Sequence, residues 1–303
     1  MDWITGMQNA IDYIEEHITE KVDYEEIARC SCLSCYNFQR VFGILCGYTL
    51  GEYIRNRRLS LAGQDLAQTG MKVIDVALKY GYESPDSFAK AFQKFHGVTP
   101  SAAREAGAVL RSFARLSVKI SLEGGCVMNY RIEEKPEMIL TGYKQRFKGV
   151  PYGNKRVEQE HQMFISTRAK QWLLTGASCD YATQYCIVTN VDDEGYDFYI
   201  ANGLDSDERE DMYNPEITGV DFMEDMGFEN VLIPRQTYAI FETEKIKYPI
   251  GKYTDLRQRI VSEWLPSSGY QIANAPELVL IHWRLTDDRN KRYVEIWLPI
   301  EKC

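Results

Sequence analysis

Two stretches of this chain, SCYNFQRVFGILCGYTL from Ser34 and SPDSFAKAFQKFHGVTP from Ser84, carry one pattern at a constant offset of 50 residues. Ser34 meets Ser84, Phe38 meets Phe88, Arg40 meets Lys90, Phe42 meets Phe92, Gly47 meets Gly97 and Thr49 meets Thr99. Upstream, Ala28 meets Ala77 at an offset of 49, so one turn differs by a residue. Each copy reads as a short helix, a tight turn, a second helix and then Gly-x-Thr, the layout of a helix-turn-helix module. A solenoid needs at least three repeats. Two copies predict a two-headed reader.

The segments around the repeat are helical as well. Ile4, Met7, Ile11, Ile14 and Ile18 recur at helical spacing and predict an amphipathic first helix. A short second helix is expected from Asp23, with Glu26 three residues on in a capping-box-like pattern. GEYIRNRRLSLAGQDLAQ reads as a helix connecting the two modules, with Ile54, Leu61 and Leu66 on one side and Arg55, Arg57 and Arg58 exposed. In the second copy Phe88, Phe92 and Phe95 fall on one helical face and are expected to bury. The short polar residues at the start of that helix point the other way.

After Thr99-Pro100 the pattern fades, and RSFARLSVKISLEGGC ends at Gly124-Gly125, a candidate boundary. Beyond it the character changes to strands. MNYRIEEKPEMILTGYKQRF predicts two, split at Lys135-Pro136, and residues from about 154 to 174 read as helix. YCIVTNV and YDFYIANG follow as alternating strands joined by a turn at Asp192–Gly195. The scheme recurs: VLIPRQTYAIFETE is strand-like, GKYTDLRQRIVSEWLPSSG helical, and ELVLIHWRL with RYVEIWLPI a strand pair. Trp172 and Trp264 take equivalent places, so this region is expected to be a duplicated α+β module, each half a helix on an antiparallel sheet.

Composition narrows the function classes. Of 303 residues, 45% are apolar and 26% charged, as in a soluble globular protein of two domains. No run approaches the ~18 apolar residues of a membrane span. MDWITGMQNAIDYIEEH lacks the basic start and apolar stretch of a signal peptide, so a cytoplasmic protein without a membrane partner is expected. The net charge of −9 is uneven: residues 1–28 carry −7, residues 29–115 carry +6 and residues 116–303 carry −8. A basic block between acidic flanks points to a polyanion. Cys30, Cys32 and Cys35 invite a zinc reading, but no partner CxxC or HxxxH lies within zinc-finger distance, so reduced thiols and no metal are expected. His17, His96, His161 and His282 are scattered, and nucleophile-elbow, P-loop and HExxH motifs are absent. No catalytic constellation or cofactor is expected.

KYGYESPDSFAKAFQKFHGVTPSAAR resembles the signature of the AraC/XylS transcription-regulator family through Gly81-Tyr82, Ser84, Phe88, Lys90, Phe92, Lys94, Gly97-Val98-Thr99-Pro100 and Arg104. The likeness covers about residues 5–110. Many members carry this domain at the C-terminus; here it comes first. IPRQTYAIFE, EWLPSSGY and VEIWLPI give residues 127–303 a likeness to GyrI-like effector-binding domains. That family often places a Glu a few residues after a Pro on the penultimate strand. Aligned on Pro276, this position holds Val279, and the nearest acid is Glu277.

The resemblance implies an all-helical DNA-binding domain over residues 1–112, a linker over 113–126 and an α+β small-molecule domain over 127–303. A recognition helix enters a major groove about 12 Å wide with its N-terminal residues on base edges. Base contacts are expected from Tyr36, Asn37, Gln39 and Arg40 in the first module and from Ser84, Asp86, Ser87 and Lys90 in the second. Gln39 suits adenine, Arg40 guanine and Asp86 a cytosine amino group. Arg55, Arg57, Arg58 and Lys94 are expected on phosphates. Trp172 and Trp264 read first as core. The effector pocket is assigned Tyr185, Trp264, Glu277, Val279, Ile281, Trp283, Glu295 and Trp297, aromatic walls with few polar groups.

The expected function is a sequence-specific DNA-binding transcription regulator governed by a small aromatic or hydrophobic effector, as in multidrug or toxin responses. Duplex DNA, that effector and RNA polymerase are the expected partners. A small-molecule hydrolase or a sequestering protein built on the GyrI-like region is the alternative.

Overall fold

A computed structural model describes residues 3–118, 128–151, 154–176, 183–204, 214, 216, 219, 221–283 and 289–302. The chain divides into two compact units, Met1–Arg40 with Tyr48–Leu122 and Glu123–Cys303 with Val41–Gly47. No helix among the described residues is long and apolar enough to cross a membrane.

The first unit is helical: α1 (Trp3–Glu16), α2 (Tyr24–Cys30), α3 (Cys35–Cys46), α4 (Leu50–Gln68), α5 (Val73–Lys79), α6 (Pro85–His96) and a 3-10 turn at Ala102–Arg104. The repeat is visible as two short-helix, turn, helix pairs, α2–α3 and α5–α6, with α4 between them. Asp23 caps α2 by accepting from the Glu25 amide. The reciprocal capping box lies instead at Thr49 and Glu52, which start α4. Phe38 and Phe42 in one module, and Phe88 and Phe92 in the other, are wholly buried. The third buried position on α6 is His96; Phe95 stays half-buried at the edge of the same core.

Residues 113–118, expected in a linker, are tied to this unit. Phe113 N–H donates to Ser60 Oγ (3.0 Å), Leu116 N–H to the Tyr53 hydroxyl (3.1 Å) and Val118 N–H to Gln8 Oε1 (2.8 Å). These side chains replace the partners that an extended segment lacks. Residues 119–126 of the expected linker lie outside the described residues.

The second unit runs β1 (Tyr130–Lys135), β2 (Met138–Lys148), α7 (Asn154–Ser166), α8 (Arg168–Gly176), β3 (Thr183–Thr189), β4 (Gly195–Asn202), α9 (Phe222–Met226), β5 (Glu229–Ile233) and β6 (Gln236–Glu242). Then follow α10 (Ile250–Arg259), a π turn at Ile260–Trp264, α11 (Leu265–Ser268), β7 (Tyr270–Ile272), β8 (Glu277–His282) and β9 (Tyr293–Lys302). The expected antiparallel-sheet-plus-helix modules are joined through their strands. All strands among the described residues join one antiparallel sheet in the order β1-β6-β9-β8-β3-β4-β2-β5, with β7 beside β9. VLIPRQTYAIFETE is broken by Pro234, which cannot donate to a ladder. Its halves, β5 and β6, sit at opposite ends of the sheet.

This order forces the sheet to curl. β1 lies at one end and β2 near the other, yet only Pro136 and Glu137 connect them. Pro234 and Arg235 are all that connect β5 to β6. Three peptide steps span at most about 11 Å, so the two ends of the sheet come together. The inner face becomes a core of Leu140, Ile187, Tyr199, Ala201, Ile233, Tyr238, Ile240, Leu278, Leu280 and Trp297. Helices α7 and α10 pack on the outer face.

Candidate functional sites: a reading helix and an outer-face cavity

Helix α6 is built to present its first turn. Ser84 accepts from the Ser87 amide as N-cap, Pro85 opens the helix, and Gly97 ends it in the left-handed region (φ 84°) that glycine tolerates. Phe88 and Phe92 anchor one face, their rings 5.4 Å apart, while Ser84, Asp86, Ser87, Lys90 and Lys94 are exposed on the other. Both serines also serve the cap, since Ser87 Oγ donates to the Ser84 carbonyl (2.8 Å). Helix α3 repeats the serine cap at the same offset, with Ser34 Oγ accepting from the Asn37 amide (3.2 Å).

The expected DNA contacts separate into groups. Arg55 is exposed, as expected of a phosphate-binding residue. Arg57 and Arg58 are corrections, because both are consumed by the fold. Arg57 donates to Glu15 from Nε (2.8 Å) and Nη2 (2.7 Å) and to the Phe113 carbonyl (2.6 Å). Burial works to raise the Glu15 pKa, but hydrogen bonds from Arg57 and Tyr53 outweigh it and lower it. Arg58 donates to the Ile18 (2.7 Å) and Glu20 (2.5 Å) carbonyls. Neither partner is local in sequence, so helical phase alone left them exposed. In α3, Tyr36 accepts a hydrogen bond from Arg40, and Gln39 Nε2 donates to Cys35 Sγ (3.2 Å). Asn37 and Arg40 are only 3% and 4% exposed, a second correction to the surface expected there.

In the second unit the assigned pocket residues fall on both faces of the sheet. Tyr185, Glu295 and Trp297 face inward, by their register against Leu280 and Leu278 of the inner core. Glu295 is spent there: Arg131 Nη2 (2.7 Å) and Trp297 Nε1 (2.8 Å) donate to it, and His282 Nε2 stands 3.7 Å away. Burial works to raise its pKa, but these donors prevail and bring it to about 2. The Lys135 ammonium lies 4.6 Å from the Trp297 ring centroid, where a ligand cation would sit. Trp264 packs among Phe241, Tyr130 and Tyr270 on the outer face, away from Trp297. Trp283 is covered by the Arg292 guanidinium at 5.6 Å. Trp172, expected in the core, is 71% exposed and has no counterpart to the packing around Trp264 among the described residues.

Val279 and Ile281 do line a cavity. It measures ≈ 90 Å³ between α7 and α10, over the β3–β8 junction, with Cys186, Val294, Phe164, Ile250 and Tyr253 around it and Glu160 and His161 on the α7 side. Glu277, on the same outer face, is wholly buried and accepts from Nη1 and Nη2 of Arg257 in a forked pair. The sequence reading missed Arg257, Tyr253 and Phe164. The readable signal was Tyr253, Arg257 and Ile260 at helical spacing, with an arginine on the apolar stripe. A wider cleft of ≈ 740 Å³ beside β1 is lined by Arg131, Glu242, Glu244, Lys252, Asp255 and Arg259. Among the described residues no group of three metal-ligating side chains occurs.

Comparison with known proteins follows these two units. The model of the GyrI-like small molecule binding domain matches residues 128–301, more than half of the chain. The chain belongs to the GyrI-like family. A helix-turn-helix domain model matches residues 27–106, so this GyrI-like protein carries its reader in front. The HTH-type transcriptional activator AarP of Providencia stuartii is 43% identical over 89 residues, 29% of this chain and 66% of AarP. Regulatory protein SoxS of Salmonella typhimurium is 38% identical over 95 residues, 31% of this chain and 89% of SoxS. The helical unit is therefore an AraC-family helix-turn-helix domain, and the named relatives are activators and regulators. A crystal structure of a bacterial transcription regulation protein from Staphylococcus aureus MU50 aligns with 58% of this chain and 99% of its own, at 16% identity and a TM-score of 0.40.

Proposed function

We propose that this GyrI-like protein is a transcription regulator whose helical unit reads duplex DNA with α3 and α6 and whose second unit binds a small aromatic or hydrophobic effector in the outer-face cavity. The observation that carries the reading is α6. Its N-terminal turn is exposed and short-chained, with Lys90 and Lys94 on the outward face and two phenylalanines locking it from below. Short side chains let the helix axis approach the groove floor, while lysines neutralise phosphate or reach guanine. Two reading helices on one chain suit a site without two-fold symmetry. RNA polymerase is the proposed further partner, and the cytoplasm the proposed location.

The test is retention of genomic DNA fragments by the full chain at two salt concentrations, repeated with Lys90→Ala. A few fragments held selectively, less so at high salt and in the variant, support the reading, because phosphate neutralisation releases counterions. Retention that ignores both salt and sequence sinks it.

A further inference from the structure

We propose that the effector cavity takes a neutral, apolar-bodied molecule and turns cations away, and that the Arg257–Glu277 pair sets this preference. The proposal rests on the reading of the second unit as an effector-binding domain. The cavity floor is Cys186, Val279, Ile281 and Val294, with Phe164 and Tyr253 on the helix walls. None of these carries a charge at neutral pH. The buried acid next to the floor is Glu277, two positions before Val279 on the same face of β8. Arg257, itself 4% exposed, engages both of its carboxylate oxygens. The protein's own guanidinium thus occupies the place that a ligand cation would seek.

Physical magnitudes favour a neutral occupant. An ion entering an apolar cavity loses its hydration, and only a buried opposite charge returns that loss. Glu160 and His161 stand on the α7 side, but His161 is exposed and Glu160 half-buried, where water and salt weaken their field. Freeing Glu277 for a cation would strand Arg257 in the same apolar surroundings. A neutral aromatic body meets neither obstacle and gains from every apolar contact. At ≈ 90 Å³ the cavity is smaller than the ~300–1,000 Å³ of drug-sized pockets, so a fused-ring ligand enters by parting α7 from α10.

The experiment uses the full chain and three probes on one ring system: N-phenyl-1-naphthylamine, its sulfonated analogue and a trimethylammonium analogue, with binding read by fluorescence. The neutral probe should bind at least tenfold more tightly than either ion. Ile281→Trp, which fills the cavity, should abolish that binding, and Val279→Glu should shift preference toward the cation by tenfold or more. A cation bound as tightly as the neutral probe in the wild type, and lost in Ile281→Trp, overturns the charge assignment alone. Neutral binding that survives Ile281→Trp overturns the location. If none of the three probes binds, the effector-binding reading falls together with the proposal built on it.

Discussion

His96 closes α6 with both ring nitrogens committed to main-chain groups. Nε2 donates to the Leu59 carbonyl (2.9 Å) and Nδ1 accepts from the Arg111 amide (3.2 Å), an arrangement open only to the neutral ring. Burial, with Arg111 nearby, lowers its pKa below the ordinary 6.5 against the pull of the Leu59 bond. The unfolded chain then takes up a proton near pH 6.5 that the folded chain refuses. This contribution to stability is complete above pH 6.5 and is lost as the pH falls below it. Urea unfolding at pH 7.5 and pH 5.5 should show the loss in the wild type and a smaller one in His96→Gln. The Arg257–Glu277 pair predicts the opposite kind of test. Arg257→Met alone should cost about 3–5 kcal/mol, because it strands a buried carboxylate, while Arg257→Met with Glu277→Leu should recover most of it. A double variant no more stable than the single one refutes this account. At this scale Val279 and Ile281 were legible, since the landmark Pro276 fixes their register. Arg57 was not, because its partner Glu15 is 42 residues away and leaves no local pattern.

Among the elements, α4 shows how packing overrides local preference. Gly63 sits mid-helix, where alanine would normally gain about 1 kcal/mol. A Cβ there would meet His96 Cε1 at 2.7 Å and Nε2 at 2.8 Å. Displacing a buried ring costs about 1–3 kcal/mol, so Gly63→Ala should destabilise on balance, which thermal unfolding can check. A melting point raised by the alanine would show that His96 yields freely. The same helix starts at the Thr49–Glu52 capping box, and Thr49→Ala should cost about 1 kcal/mol. Sequence periodicity found nearly every helix and strand here, since buried faces repeat with period 3.6 or 2. It did not separate β5 from β6. The residues around Pro234 read as one strand, and only the sheet order reveals that the proline sends the halves to opposite ends.

For the whole molecule, the exposed and the consumed basic residues make a contrasting prediction. Lys90→Ala should weaken DNA retention and, if Lys90 neutralises one phosphate, reduce the salt slope by about one, with the melting temperature unchanged. Arg57→Ala should instead lower the melting temperature, because it leaves Glu15 buried without its guanidinium. If Arg57→Ala changed the salt slope and left stability intact, the assignment of that arginine to the fold would be wrong. Two-domain architecture was readable from the repeat and the shift to strands. That the halves of the second unit share a single sheet was not, because long-range pairing has no signature in local periodicity. The pairing also has a price in time. Tyr130 of β1 lies opposite Phe241 of β6, 111 residues later. At about 5–20 residues per second, a nascent β1 waits roughly 6–20 s on the ribosome for its partner. Its sequence, YRIEEK, carries four charges in six residues, which keeps an orphan strand hydrated rather than adhesive until synthesis catches up.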